Sequence, residues 1–283
     1  METKIAILTD SSSSIYSINH SMDNLFMIDI PCFIGDNIFT DFEKNGDEPF
    51  NNALRSTKLL PKTSQPSTGA LIAKYEEIKS KGFTHIIFLP LSQKLSGTYQ
   101  SGLVAKEMVD GINIEVLDTN MALSILAGIA IRAAKLAKKT NNVEEIIEEV
   151  KRLRNNSGYF LTVNDLTSLI KNGRLANRNK YLINFLRIKP VITLTDDGLL
   201  LAIKQVRTYK KALNELCDLV LEKVNPTNSL VQISCTYNVN DLQYCKEILL
   251  TKCPKLKIVE CALPATATAH FGLDSIGIGY INY

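Results

Sequence analysis

Short apolar runs alternate with amphipathic helical patterns through the first half of this 283-residue chain, and this alternation constrains the fold more than any other feature. Three apolar runs predict strands, at 4–8, 85–91 and 112–117. Helices are predicted between and after these strands, at 67–81, 96–109, 120–139 and from 143 onward. Because strand, helix and strand follow one another, the order predicts right-handed βαβ units and therefore a parallel sheet.

The second half of the chain carries a different pattern. Asp196-Asp197-Gly198 separates apolar runs at 191–195 and 199–206, which predicts a β-hairpin. A strand at 159–163 and two short helices flanking Asn172-Gly173-Arg174 are predicted before this hairpin. Helical patterns near 213–224 and at 241–250 then alternate with strands, at 230–235, 257–262 and 276–281.

This change of pattern around Asn155-Asn156-Ser157-Gly158 predicts two domains. We expect an N-terminal parallel-sheet α/β domain over residues 1–156. A C-terminal α+β domain with a mixed sheet is expected over residues 157–283. Gly35-Asp36-Asn37, between the apolar runs of residues 25–42, predicts in addition a small hairpin inserted in the first domain.

Composition and charge exclude several classes of protein. Hydrophobic residues make up 45% and charged residues 22% of the chain, as is usual for a soluble globular protein. The formal charge of +3 is too small to predict nucleic acid or stable membrane association as the main interaction. A strand pattern begins at Lys4 without a signal-peptide pattern before it, and the six cysteines form no C-x-x-C pair. We therefore expect a cytoplasmic protein with reduced, buried thiols.

Two hydroxyl-rich segments stand one βα unit apart, at Thr63-Ser64-Gln65-Pro66-Ser67 and Leu95-Ser96-Gly97-Thr98. Each precedes a predicted helix, where free backbone N–H groups favour an anion. Neutral hydroxyl donors without a lysine or arginine cluster suit one small anion, such as a carboxylate. The alternative for each segment is simple helix capping, and a nucleophilic Ser96 would lack the G-x-S-x-G elbow.

Four further positions are candidates with structural alternatives. Thr9-Asp10-Ser11-Ser12 ends the first strand, where open α/β sheets bind ligands, although Asp10 or a serine could equally cap a helix. His270 is flanked by small residues that would allow close approach of a ligand. Arg174 and Arg207 are, from sequence alone, best interpreted as solvated surface residues. Histidines are too few and wrongly spaced for a metal site, and no cofactor is predicted.

Two other classes of function stay open at this point. A serine hydrolase would use Ser96 with His270 and, as a third member, Asp118. A binding protein for a phosphorylated sugar or nucleotide could also use the hydroxyl-rich loops.

Taken together, the motifs resemble the DegV family of bacterial fatty-acid-binding proteins over nearly the whole chain. The matching segments include Thr63-Ser64-Gln65-Pro66-Ser67, Leu95-Ser96-Gly97-Thr98-Tyr99-Gln100-Ser101, Asn172-Gly173-Arg174, Val206-Arg207-Thr208 and Gly277-Ile278-Gly279. The first two, in this order and at this spacing, are specific, whereas either alone would be a weak signal.

The resemblance implies a non-enzymatic carrier that holds a long-chain fatty acid in a buried tunnel between the two domains. It implies that Thr63, Ser64, Ser96 and His270 hold the carboxylate, with Gly97 and Thr98 beside Ser96. It also implies an ATP-dependent fatty acid kinase subunit as the partner, to which the carrier presents the acid for conversion to an acyl phosphate. Arg174 and Arg207 match positions associated with that partner or with the phosphate.

Overall fold

The computed structural model describes residues 3–18, 20–176 and 188–283. Within these ranges the chain forms thirteen strands and ten α-helices. The strands are β1 (Ile5–Asp10), β2 (Leu25–Ile28), β3 (Cys32–Ile34), β4 (Asn37–Phe39), β5 (Lys62–Thr63), β6 (His85–Leu89), β7 (Asn113–Val116), β8 (Ser157–Thr162), β9 (Lys189–Leu194), β10 (Leu200–Val206), β11 (Ser229–Cys235), β12 (Lys257–Ala262) and β13 (Ile276–Asn282). The helices are α1 (Phe42–Asn45), α2 (Glu48–Arg55), α3 (Thr68–Ser80), α4 (Thr98–Lys106), α5 (Leu123–Ala137), α6 (Val143–Asn155), α7 (Thr167–Lys171), α8 (Tyr209–Leu221), α9 (Val239–Lys252) and α10 (Ala265–Phe271).

The predicted parallel sheet is confirmed, and it has one strand more than the sequence pattern indicated. Its order is β2-β1-β6-β7, with every pair parallel. Alternate residues of β1 face α3 and α4 on one side, through Ala6 and Leu8, and α5 on the other, through Ile5 and Ile7. Both faces are therefore buried, which explains why β1 is a continuous apolar run.

The hairpin predicted over residues 25–42 is wrong in its first half. Leu25–Ile28 instead extends the parallel sheet, with Leu25 in register with Ile7. The hairpin itself is confined to β3 and β4, turns at Gly35 with φ of +59°, and is completed by β5. A short apolar run cannot be assigned to a sheet from its own sequence, because the pairing partner decides the assignment.

The second sheet is mixed, as predicted. Its order is β10-β9-β8-β13-β11-β12, and only β11 and β12 pair in parallel. The expected hairpin is confirmed in β9 and β10, whereas the second of the two short helices expected around Asn172-Gly173-Arg174 lies outside the described residues. Helices α8 and α9 pack on one face of this sheet, and α5 and α6 pack on the other.

Helix α5 joins the two sheets into one apolar core. It packs on β1 of the parallel sheet and on β13 of the mixed sheet, and glycines permit close approach at β13. A Cβ at Gly279 would stand 2.8 Å from Ile125 Cγ1, and one at Gly128 would stand 2.4 Å from Ile281 Cδ1. The division at residue 156 stays a prediction, between the end of α6 at Asn155 and the start of β8 at Ser157.

In the part of the chain that the structure describes, no helix is both long enough and apolar enough to cross a bilayer. All six cysteines fall within the described ranges, and each is a buried free thiol. Burial raises the pKa of the Cys235 thiol to about 11, so this side chain stays neutral and packs as a small apolar group.

Candidate ligand-binding site

A cavity lies between the two sheets, at the carboxyl edge of the parallel one. The loops that follow β1, β2, β6 and β7 contribute Ser12, Ile30, Leu91 and Ala122 to its lining. This is the edge at which open α/β sheets bind ligands. Residues of β9, β10 and α10 close the cavity from the side of the mixed sheet.

The lining is apolar apart from six side chains. These polar residues are Ser12, Thr63, Ser96, Arg174, Thr266 and His270. Larger apolar side chains form much of the remaining wall, among them Leu123, Leu194, Leu200 and Phe271. The cavity volume is about 60 Å³, which admits water but not a long alkyl chain unless the walls separate.

His270 lies at the centre of the polar group. Its Nε2 is 2.9 Å from Thr63 Oγ1, and its Nδ1 is 3.1 Å from Asn172 Nδ2. Asn172 Nδ2 also donates to the carbonyl oxygen of Pro61, at 3.3 Å. Residues from β5, from the loop after α7 and from α10 therefore meet at one point, although they are up to 207 positions apart in the chain.

The positively charged side chain of Arg174 lies beside His270 and Asn172. Its Nε donates to the carbonyl oxygen of Leu95 at 3.2 Å, and its Nη1 donates to the carbonyl oxygen of Asn172. Burial, and to a smaller extent the Arg174 charge, lowers the pKa of His270 to about 4. His270 is consequently a neutral imidazole at neutral pH, and Arg174 supplies the positive charge of the cavity.

Ser96 stands at the start of α4, as the sequence predicted. Its Oγ is 2.9 Å from Thr98 Oγ1 and accepts a hydrogen bond from the Thr98 N–H at 3.3 Å. The Gln65 side chain covers Gly97, since a Cβ on Gly97 would stand 2.1 Å from Gln65 Oε1. Gln65 Nε2 donates to Ser101 Oγ at 3.1 Å, which ties the two hydroxyl-rich segments together.

Asp10 holds residues of the cavity lining in place through hydrogen bonds. It is fully buried, and it accepts hydrogen bonds from the Leu91 N–H at 2.7 Å and from the N–H and hydroxyl of Ser12. Burial raises its pKa to about 6, against the effect of these hydrogen bonds. Of the two roles considered for Asp10, these contacts show helix capping. Asp10 positions two residues of the lining and does not itself line the cavity.

Not every predicted residue lies at this cavity. Ser64, one residue past the end of β5, is exposed and lines a surface groove near Asp29 instead. Arg207 is exposed just after the far end of β10, seven residues from Leu200, or about 23 Å at roughly 3.3 Å per residue. Thr98 is buried behind Ser96 and reaches the site only through that side chain.

The residues suggested for a hydrolase do not form a triad. His270 uses both ring nitrogens for Thr63 and Asn172, and Ser96 is bonded to Thr98. Asp118 Oδ1 accepts from the N–H groups of Gln93 and Asn120. Within the described ranges, moreover, no three His, Cys, Asp or Glu side chains are grouped so that they could hold a metal ion.

Sequence reasoning missed helix α10 and two residues of the site. Asn172 was noted only as part of a motif, and Thr266 was not considered. Thr266 is 6% exposed and lines the cavity, and its Oγ1 has no hydrogen-bond partner. Pro264 before the helix and Gly272 after it, at φ of +83°, are the start and stop signals that could have identified it.

Comparison with known proteins agrees with this architecture. Residues 4–283 match the family described as "Uncharacterised protein, DegV family". A DegV domain-containing protein of Staphylococcus aureus (strain N315) is 30% identical over 281 residues, 98% of this chain and 97% of that protein.

Two solved structures share the fold across both sheets. A fatty acid binding DegV family protein from Streptococcus agalactiae matches with a TM-score of 0.85 at 25% identity, over 99% of both chains. The fatty acid kinase (Fak) B3 protein of Streptococcus pneumoniae, loaded with linoleic acid, matches with a TM-score of 0.86 at 17% identity. That match covers 99% of this chain and 100% of the other. From its sequence relatives and its fold alike, the chain belongs to the DegV family.

Proposed function

We propose that this protein binds a long-chain fatty acid between its two sheets. The observation that supports this proposal is the cavity. Its lining is apolar apart from a few polar side chains, and one of these, Arg174, is positively charged. Thr63 and Ser96 would hold the carboxylate beside Arg174, with His270 acting on it through Thr63, and the alkyl chain would run along Leu194 and Leu200. The S. agalactiae and S. pneumoniae relatives, which are described with fatty acids, support the same ligand class.

The alkyl chain would supply most of the affinity. Burying the tail of a C16–C18 acid gains roughly 0.8 kcal/mol per CH₂, on the order of 12 kcal/mol before the costs of ordering. Part of this free energy must offset the cost of separating the cavity walls, because the cavity volume is only about 60 Å³. The polar group then fixes the orientation of the acid and leaves its carboxylate ionised.

We further propose that the protein is a carrier that presents the acid to an ATP-dependent fatty acid kinase subunit. The Fak B3 relative supports this role. Within the chain, Arg174 lines the cavity and would stabilise the additional negative charge of an acyl phosphate, and the exposed Arg207 would contact the partner or the phosphate. Catalysis would belong to the partner, because Ser96 has no base within hydrogen-bond distance among the contacts described above.

The first experiment is mass spectrometry of the lipid released when the protein purified from a bacterial host is denatured. We expect about one fatty acid per chain. An extract without fatty acid, together with no uptake of added oleate or palmitate, would refute the proposal. Thermal stabilisation by sugar phosphates or nucleotides, and not by fatty acids, would favour the other binding class instead.

A pair of matched variants locates the carboxylate. Thr63→Val removes the hydroxyl beside His270 and should weaken oleate binding about tenfold, the effect of losing one hydrogen bond to a charged group. Thr251→Val makes the same change on the exposed face of α9 and should leave binding unchanged. Equal affinities for both variants would remove Thr63 from the head-group site.

A further inference from the structure

We propose that Asn172 is a positioning residue that fixes the tautomer of His270, so that Thr63 directs its hydroxyl hydrogen into the cavity. The inference rests on the proposed fatty acid site and names the group that prepares it for a carboxylate. Three side chains from separate elements form the relay: Asn172 after α7, His270 on α10 and Thr63 on β5.

The relay starts from an atom that can only donate. Asn172 Nδ2 lies 3.3 Å from the carbonyl oxygen of Pro61, and a carbonyl oxygen can only accept. The Pro61 contact therefore identifies this atom as the amide nitrogen rather than the amide oxygen, a distinction that hydrogen bonding must settle. The second hydrogen of the same NH₂ group is directed to His270 Nδ1, 3.1 Å away, which must present a lone pair.

A neutral imidazole carries one ring hydrogen, and Asn172 excludes it from Nδ1. The hydrogen is therefore on Nε2 and is donated to Thr63 Oγ1 at 2.9 Å. His270 is neutral at neutral pH because it is buried beside Arg174. Since Thr63 Oγ1 accepts from His270, its own hydrogen is free to be donated, and Thr63 lines the cavity.

The direction of the relay suits a ligand group that only accepts hydrogen bonds. An ionised carboxylate is such a group, and it takes a charge-assisted bond from a hydroxyl. With the opposite tautomer, Nε2 would accept from Thr63, and the hydroxyl oxygen would turn its lone pairs toward the ligand. Asn172 therefore acts on the ligand through two other side chains, without being part of the cavity lining itself.

The test reverses the relay with one substitution. Asn172→Asp replaces the donor by a carboxylate, which should move a hydrogen to His270 Nδ1. In ¹⁵N-histidine NMR spectra of lipid-free protein, with the signal assigned by its loss in His270→Gln, we expect the Nε2–H tautomer in the parent. We expect a protonated Nδ1 in Asn172→Asp, together with oleate affinity reduced at least about tenfold. Asn240→Asp, in the exposed first turn of α9, is the matched control and should change neither measurement.

An Nδ1–H tautomer in the parent overturns the inference, and this measurement decides even if Asn172→Asp does not fold. Parent-like oleate binding by a folded Asn172→Asp also overturns it. These outcomes differ from a failure of the proposed function. A parent that binds no fatty acid would refute that function while the tautomer could still be read, and fatty acid binding with the wrong tautomer would refute the relay alone.

Discussion

Gly277 offers a sharp test of how β13 is packed. A Cβ at this position would stand 2.0 Å from Oη and 2.4 Å from Cζ of Tyr159. The Tyr159 ring also covers Gly279, where a Cβ would stand 2.9 Å from its Cδ2. Tyr159 is fully buried and its hydroxyl is bonded to Ser234, so the ring cannot move aside without losing that bond.

Gly277→Ala should therefore be strongly destabilising. Overpacking in a close-packed interior costs about 1–3 kcal/mol. Leaving the buried Tyr159 hydroxyl without its Ser234 partner adds about 1–3 kcal/mol. We expect the free energy of unfolding to fall by about 2–6 kcal/mol, and the melting temperature by about 3–10 °C for a chain of this size.

The assay is urea unfolding followed by circular dichroism, because the chain contains no tryptophan for fluorescence. The control is Gly69→Ala on α3, where a Cβ would meet no atom within 4 Å. Alanine should stabilise that position by about 0.5–1 kcal/mol, since glycine is the poorer helix former. If Gly277→Ala unfolds within 0.5 kcal/mol of the parent, roughly the limit of such a measurement, the packing of Tyr159 against β13 is not as described.

Three further predictions concern the cavity and the contact between the sheets. Ser96→Ala should weaken oleate binding about tenfold with little change in melting temperature, and unchanged affinity in calorimetric titration would remove Ser96 from the site. The pKa of His270 is lowered to about 4, so as the pH drops below about 6.5 the unfolded chain binds a proton that the folded chain does not. The contribution of His270 to stability should therefore fall from about pH 6.5 toward pH 4, and between pH 7 and pH 5 His270→Gln should lose about 1–2 kcal/mol less than the parent in urea titrations. Equal losses would contradict a buried neutral imidazole. Gly198→Ala would place a Cβ 2.1 Å from Ser92 Oγ at a φ of +82°. It should break the bond from Ser92 Oγ to the Gly198 carbonyl that joins the two halves of the molecule, lowering stability by about 1–3 kcal/mol in thermal unfolding.

Local patterns in the sequence were enough to predict most of the secondary structure. The buried runs of β1 and β6 and the turn between β9 and β10 carry their own signals, because side-chain period and turn chemistry act over a few residues. The hydroxyls of Thr63 and Ser96 could be chosen for the same reason, since each stands beside a predicted helix start. Their family motifs also indicated the ligand class.

Tertiary structure decided which of these groups meet. Thr63 lines the cavity whereas Ser64, just past the end of β5, lines a surface groove, and the length of β10 carries Arg207 far from Leu200. Asn172 and His270, 98 positions apart in the chain, meet only because α7 and α10 pack together. Such contacts depend on the packing of the whole chain around α5, and no window of neighbouring residues contains that information.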